Sequence, residues 1–595
     1  MKNYAFPWLS ASMLAAILLP SSLLAQRLDA EKFCDVSGKA KRGYLSDVTV
    51  DNKAGKIDLL FCTKSTDKQV ATQTYHFDTK YNLLGVDENS IPVEKVKGYR
   101  GENFSKNSVT LETSAPATGA GVVGMMGALE AFKNPAGTLL IRHRRTDYKW
   151  SWLGGGYRKK VKLLHTEKPK AESGAGYRLI DHVDDDANGG TLALVQENMK
   201  LSNMKAMKVG YHLLYFNDKA ELTSDVYLDT DVAQTFVQMA PIGLDQDEEA
   251  DDSQLPARDV AIMLAYTKGA GATKDKHPTT EYQYLRVSAT GQVKEKIRVD
   301  SPVSAWLVSG FIPMNDGGVL AYGPANDDTK KHYAEALPDA KPGMTVEESF
   351  KAKNFQLGKI MNGQVAWITT TDLKEFEDKQ KVPAGQKRTP DYTGKRFFVR
   401  QSMEAPNGDL LIGGQNFKMK GGNPGNSKFL DKMTGGDGNY KEPDHVYGDL
   451  LLFHFDKTGH LRAQYGVRRA ENNATTSVAP NPQYFHPSVD GKSLYWNILE
   501  IDGWRTVNGL TEDGKMGGIF EPTMRETISY PSVTRISLAD ASIGAQKTFG
   551  VTKEGKYYVS NKYTTLPVGD ENKQVVYFGE NKSGKTLWFG QMPLE

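Results

Sequence analysis

The segment with the densest set of groups able to bind a ligand is Arg142–His165, RHRRTDYKWSWLGGGYRKKVKLLH. Two cationic clusters flank its tryptophans, and the glycine run Gly154–Gly156 lies between the clusters. Arginine guanidinium groups beside exposed aromatic rings can bind carboxylate, sulfate or phosphate groups. The alternative is an ordinary hairpin with a solvated basic face, and the glycine run lacks the spacing of a phosphate-binding loop. The candidate binding residues are Arg144, Arg145, Trp150, Trp152, Arg158 and Lys159.

Two acidic stretches, Asp184–Asp186 and Asp245–Asp252, are the candidates for metal binding. Alternating carboxylates can ligate calcium, but the glycine and the terminal glutamate of an EF-hand loop are absent. Solvated loops are therefore the preferred interpretation. We expect no cofactor, with calcium as the one ion considered.

The histidines do not form a recognisable catalytic or zinc-binding pattern. The chain has no HExxH, no HxH pair and no Cys–His zinc spacing, and it has no GxSxG elbow. Four histidines that are near one another in sequence are interpreted as structural: His445, His454, His460 and His486. Two carboxylates for sugar hydrolysis would have to come from different parts of the chain, so the catalytic residues, if any, stay unknown.

A recurring phrase, a tight turn followed by an apolar β-run, predicts the strands that position these groups. The eight copies, spaced roughly 70 residues apart on average, indicate a repeat of supersecondary size. They lie at Ala54–Phe61, Ala136–Ile141, Asn188–Val195, Arg258–Tyr266, Asn315–Gly323, Pro406–Gly414, Val489–Trp496 and Lys553–Ser560.

A second phrase, two β-runs joined by a polar turn, follows most of these copies. It occurs at Thr74–Val86, Leu213–Leu228, Tyr284–Val299, Leu450–Val467 and Thr534–Gly550. Turn residues between alternating apolar residues predict hairpins. The two phrases together supply about four strands per unit, which is the content of a propeller blade. We predict an all-β fold, a β-propeller of seven or eight four-stranded blades with loop and helical insertions.

Three long insertions interrupt the repeat, and we expect them between the second and third strands of their units. They are Ala325–Phe355, which has helical character, the charge-rich Leu373–Arg388, and Phe417–Tyr447. Equivalent loops of an alternating sheet emerge on one face, and long loops on a rigid scaffold commonly carry binding functions. We therefore predict partner binding on that face. The alternative is tolerated decoration.

The N-terminal residues resemble a secretory signal, with Lys2 followed by the apolar run Met13–Leu24. This run is too short to cross a bilayer, and no later segment reaches the length of a membrane helix. We assign residues 1–25 to a signal peptide, with an uncleaved anchor as the alternative, and residues 26–595 to one propeller domain.

Two cysteines, Cys34 and Cys62, are the only ones in the chain. A pair of thiols that enters an oxidising compartment is usually bridged. We therefore predict a Cys34–Cys62 disulfide.

Charge is balanced, with 74 basic and 72 acidic residues. This composition supplies no global field for nucleic acid or for a membrane surface, so any electrostatic recognition must be local.

The phrases PNGDLLIGGQ and SVDGKSLYW resemble the repeats of exported bacterial propellers of the WD40-like or PD40-like kind. The resemblance covers most of the chain after about residue 35 and implies a fold, not an activity. The last strand, within TLWFGQMPLE at Thr586–Glu595, favours the periplasm over the cell surface, with an extracellular location as second choice.

Three functions are compatible with these observations. The first is a non-enzymatic periplasmic binding protein or scaffold with an envelope protein partner, such as a secretion-complex subunit. The second is a carbohydrate-active enzyme with its site in the axial funnel. The third is a glycan-binding module that uses Trp150 and Trp152.

Overall fold

Strands dominate the computed structural model, in which only two helices occur among the described residues, α1 (Gly38–Arg42) and α2 (Leu373–Asp378). The structure describes residues 26–65, 69–92, 103–113, 139–151, 156–185, 188–197, 211–228, 234–242, 258–266, 281–303, 306–326, 352–386, 390–394, 397–420, 444–469, 479–507, 524–553, 555–560 and 563–595.

Most strands form antiparallel sheets that are built from strands consecutive in the chain. The strand β1 (Ala30–Asp35) comes first in the chain. The first sheet contains β2 (Tyr44–Asp51), β3 (Lys56–Ser65), β4 (Gln69–Asp78) and β5 (Leu83–Pro92). The second contains β6 (Asn103–Thr113), β7 (Leu139–Ser151) and β8 (Gly156–Glu167). The third contains β9 (Tyr177–Asp185), β10 (Gly190–Glu197), β11 (Tyr211–Phe216) and β12 (Leu222–Leu228). The fourth contains β13 (Gln234–Pro241), β14 (Val260–Tyr266), β15 (Glu281–Val287) and β16 (Val293–Asp300).

The second half of the chain continues the pattern. The fifth sheet contains β17 (Gly310–Pro313), β18 (Val319–Ala325), β19 (Asn354–Met361) and β20 (Gln364–Asp372). The sixth contains β21 (Gln380–Lys381), β22 (Phe397–Glu404), β23 (Leu410–Lys420), β24 (Asp444–Phe455) and β25 (Leu461–Val467). The seventh contains β26 (Gln483–Pro487), β27 (Ser493–Val507), β28 (Met524–Ser537) and β29 (Lys547–Thr548). The eighth contains β30 (Tyr557–Val559), β31 (Thr565–Leu566), β32 (Gln574–Asn581) and β33 (Thr586–Pro593). The seventh and eighth sheets are joined with β1 into one nine-stranded sheet, because Ser529 of β28 pairs with Val559 of β30, and an apolar cluster packs between the two halves.

The recurring turn is explained by backbone geometry. Its glycines adopt positive φ, a conformation that costs glycine little and other residues much. Gly317 and Gly408, for example, have φ of 82° and 84°. From the first to the seventh sheet the apolar run after the turn forms the second strand, as predicted, while in the last sheet the copy forms β30, the first strand.

Neighbouring sheets pack face to face through apolar clusters. One cluster joins the fourth and fifth sheets around Trp306 and Tyr282, and others join the remaining neighbours from the second sheet to the eighth. A further cluster, which includes Phe77 and Phe589, joins the eighth sheet to the first. The core is thus a succession of layers between sheets, each made by the apolar face of a strand repeat.

The two ends of the described chain meet in the last sheet. The strand β1 pairs antiparallel with β33, with Ala30 opposite Gln591 and Asp35 opposite Thr586. Because the first strand completes the sheet formed by the last residues, the series of sheets returns to its start. Repeated four-stranded sheets arranged in this way are a β-propeller.

The predicted position of one insertion is wrong. Leu373–Arg388 follows β20, the last strand of the fifth sheet, and does not lie between second and third strands. Its described part is packed: Phe376 of α2 is fully buried, with its ring centroid 4.8 Å from that of Phe453. The next residues form β21, parallel to β25. The segment is therefore part of the fold. The other two insertions do connect second and third strands, but most of their residues lie outside the described ranges.

The predicted disulfide is not formed in the structure, where Cys34 and Cys62 are not bonded to each other. Cys34 packs against the cluster between the eighth and first sheets, and Phe61 belongs to the same cluster. Successive side chains of a strand point to opposite faces. Cys62 therefore points away from that cluster, and the first sheet itself separates the two side chains.

Candidate functional site

The cationic segment folds into β7 and β8 of the second sheet. Leu139 and Ile141 of β7 pack against the third sheet. Because side chains alternate along a strand, Arg145 lies on the same face as Ile141, whereas Arg144 lies on the opposite face. Arg144 and Arg145 are adjacent in the sequence, but they lie on opposite faces of the strand.

On the face of Arg145 the two strands bring three cations together. Lys162 lies opposite Arg145 in the antiparallel register, and Lys160 lies opposite Asp147. Nε of Arg145 donates to Oδ1 of Asp147 at 2.7 Å, and half of the Arg145 side chain is exposed. We call Arg145, Lys160 and Lys162 the cationic ladder. Cross-strand neighbours are about 5 Å apart at Cβ, so a polyanionic surface can contact all three.

The other candidate residues are placed less completely. In the backbone register Trp150 lies opposite Tyr157, Arg158 opposite Lys149, and Lys159 opposite Tyr148. Trp152 lies outside the described residues. The glycan-binding hypothesis, which needs both tryptophans, therefore stays a prediction.

A buried ionic network in the sixth sheet is the feature that sequence reasoning missed. Nε2 of His454 lies 2.7 Å from Oδ2 of Asp409, and Nδ1 lies 2.9 Å from the Tyr465 hydroxyl, which donates to the Ala541 carbonyl at 3.0 Å. Arg462 bonds to the same carboxylate and donates Nη1 to the Leu538 carbonyl at 2.7 Å. Burial lowers the pKa of His454, against the opposing effect of its hydrogen bond to Asp409.

The same arrangement recurs in neighbouring sheets. In the fourth, Asp259 accepts from Nε of Arg286 and from Nζ of Lys294, at 2.7 and 2.6 Å. In the fifth, Asp316 pairs with Lys359. Each carboxylate comes from the turn before the second strand, and each cation from the third or fourth strand. These sites join strands within a sheet, so they are structural. The aspartate inside the recurring phrase was the sequence signal for them.

The acidic stretches also serve the fold where they are described. Asp184 accepts from Thr191, and Asp185 accepts from the Tyr215 hydroxyl, at 2.9 and 2.8 Å. Asp186 and Asp245–Asp252 lie outside the described ranges. In the part of the chain that the structure describes, no group of three or more His, Cys, Asp or Glu is placed to hold a metal ion.

Two other histidines differ in environment. His76 lies between Asp58 and Asp87, with nitrogen–oxygen distances of 2.7 and 3.2 Å, and the hydrogen bond to Asp58 raises its pKa. Burial lowers the pKa of His486 to about 4.

Among the described residues no helix has the length and apolar composition to span a membrane.

Comparison with known proteins gives distant structural likenesses. No protein-family model matches the chain, and no curated protein matches it. An apocarotenoid oxygenase of Synechocystis is 9% identical over 82% of this chain and 90% of its own, with a TM-score of 0.27. The WD40 domain of SCAP from fission yeast is 8% identical over 95% and 98%, with a TM-score of 0.20. A B. megaterium levansucrase is 10% identical over 65% and 88%, with a TM-score of 0.22. At these scores the likenesses carry no argument about function.

Proposed function

We propose that this protein is an exported, periplasmic β-propeller of eight blades that binds an acidic envelope protein through the cationic ladder. The observation that carries the proposal is the convergence of Arg145, Lys160 and Lys162 on one face of the second sheet. Residues 1–25 would be the signal peptide and residues 26–595 the domain. The eight sheets would each be one blade.

The charge pattern supports binding at this place. The chain as a whole carries a formal net charge of only +2, so the ladder is a local feature. Lys160 and Lys162 are exposed, and Asp147 offsets only part of the positive charge. Complementary exposed charges accelerate association and select partners, and they act over about 10 Å at 0.1 M salt.

The proposal is tested with a double substitution in the ladder, Arg145→Glu with Lys162→Glu. Cross-linking through Lys160 in an envelope extract should identify a partner, and the double variant should bind that purified partner at least about tenfold more weakly. The matched control, Lys56→Glu with Lys80→Glu, makes the same charge change on exposed lysines of the first sheet. Equal affinity of the ladder variant and the wild type for the partner would reject the proposal.

A second candidate function, action on carbohydrate, is favoured by Asp181. This carboxylate lies on β9, the first strand of the third sheet, and burial raises its pKa, as a general acid requires. Glycoside hydrolysis needs a second carboxylate. Loss of glycosidase activity in Asp181→Asn, with the fold retained, would support this alternative. An absence of activity in the wild type across polysaccharides would reject it.

A further inference from the structure

The outer strands of the first two sheets expose an unusual amount of apolar surface. Half of the large apolar side chains that are exposed among the described residues lie on β5 and β8. They are Leu83, Leu84 and Val86 on β5, and Val161, Leu163 and Leu164 on β8. Within the described residues, β5 pairs only with β4, and β8 pairs only with β7. Each therefore presents a free edge of backbone hydrogen-bonding groups to solvent.

The two edges are complementary in charge. Lys160 and Lys162 make β8 basic, whereas Asp87 and Glu88 make β5 acidic. Asp87 is 69% exposed, so it can meet a second cation in addition to His76. An edge that is both apolar and charged accepts a strand of the same apolar pattern and opposite charge.

One antiparallel register matches the regular part of the two strands. If Val86 lies opposite Val161, then Asp87 lies opposite Lys160, and Leu84, the extra residue of a bulge in β5, lies near Leu163. Val86 and Val161 are 41% and 52% exposed, and Leu84 and Leu163 are 57% and 54% exposed. Pairing would cover these side chains and would place opposite charges side by side, both of which stabilise adjacent strands.

We propose that β5 of one molecule adds to β8 of a second copy of this chain, so that the two sheets become continuous. The contact uses different surfaces on the two molecules. Each pairing leaves one free β5 and one free β8, and such a heterologous contact builds rings or filaments. The small net charge of the chain opposes this association little. Lys160 also belongs to the cationic ladder, but self-association is measured on the purified protein alone, so its failure is distinguishable from failure of the envelope partner proposed above.

The test is sedimentation of the purified full chain over a range of concentrations at low ionic strength. The wild type should grow beyond a dimer as its concentration rises. Lys160→Glu alone and Asp87→Lys alone each place like charges opposite one another, so each should weaken assembly at least about tenfold. An equimolar mixture of the two variants should assemble again, because every contact in an alternating series then joins opposite charges.

The matched control is Lys296→Glu, which makes the same substitution on β16, the exposed outer strand of the fourth sheet. It should assemble as the wild type does. A wild type that stays monomeric at every concentration would overturn the proposal. So would a variant mixture that sediments no differently from the separate variants. Protection of the β8 amides by an added acidic peptide, with no self-association, would assign the edge to a foreign strand and would also overturn it.

Discussion

Asp409 holds together the buried network of the sixth sheet. Its carboxylate is 7% exposed and bonds to both His454 and Arg462. Arg462 continues to the carbonyls of Leu538 and Ala539, beyond the seventh sheet's β28. Asp409 therefore connects strands within the sixth sheet, and Arg462, which it holds, connects that sheet to the seventh. Such a carboxylate compensates polar groups that would otherwise be buried without a partner.

Removal of that carboxylate should be costly. We expect Asp409→Ala to lower the free energy of unfolding by about 3 kcal/mol, because Arg462 and His454 lose their shared acceptor in the interior. Chemical denaturation measures the change. The control, Asp570→Ala, breaks an exposed pair with Lys573 and should leave stability unchanged. Equal effects of the two substitutions would show that the network does not stabilise the fold.

His486 makes stability depend on pH. Its folded pKa of about 4 lies below the ordinary value of 6.5, so the unfolded chain takes up the proton first. This contribution to stability is complete above pH 6.5 and is lost as the pH falls toward 4, to a total of about 3 kcal/mol. In His486→Gln the unfolding free energy should therefore fall less between these pH values. The control is His460→Gln, since His460 is 69% exposed. An unchanged pH profile in His486→Gln would contradict the assignment.

Sequence patterns predicted residue environments only in part. The structural role of His454 was expected, because the residue lies in a strand phrase. Arg144 and Arg145 lie on opposite faces because side chains alternate along a strand. That placement can be predicted only when the segment is known to be extended. The recurring aspartate marks one member of the Asp409 network, but its partners could not be identified from the sequence, because they come from separate strands and meet only after the sheet forms.

At the scale of elements, α2 shows that a charge-rich segment can be structural. Asp372 caps the helix by accepting from the backbone nitrogen of Glu375 at 2.7 Å, and Phe376 enters the apolar cluster between the fifth and sixth sheets. After the helix, Nζ of Lys381 donates to the Ala541 carbonyl of the next sheet at 2.7 Å. The high charge of the segment suggested a solvated insertion. Its single buried aromatic residue decides its packing instead.

Truncation of that aromatic ring should destabilise the protein. Phe376→Ala removes a fully buried ring, which typically costs about 3–5 kcal/mol. The change in unfolding free energy can be measured beside Glu377→Ala, an exposed position of the same helix, where we expect about 0.5 kcal/mol or less. If Phe376→Ala lowered the unfolding free energy no more than Glu377→Ala, α2 would not contribute to the stability of the fold.

Strand order was the most predictable part of the fold. Turn glycines and apolar runs act locally, so the sequence could indicate β3, β10, β18 and β23 as second strands. The route of Leu373–Arg388 was not predictable, since its length and charge do not reveal which neighbouring sheet it packs against.

Across the whole molecule, closure brings the last sheet back to the first. The strand β1 adds to β33, and the cluster of Phe77 and Phe589 joins the last sheet to the first. No local pattern in Ala30–Asp35 predicts this partner, because the pairing spans more than five hundred residues. Closure explains how a series of small sheets, each with exposed edges, becomes one stable body.

Hydrogen exchange of the backbone amides of β1 measures whether the first strand closes the propeller. In the native protein the amides of Ala30–Asp35 should be protected together with those of β33, and both should open in the same slow step, because they share one ladder. Deletion of residues 26–35 should then expose the β33 amides that β1 covers. Rapid exchange throughout Ala30–Asp35, beside a slowly exchanging β33, would contradict closure of the propeller by its first strand.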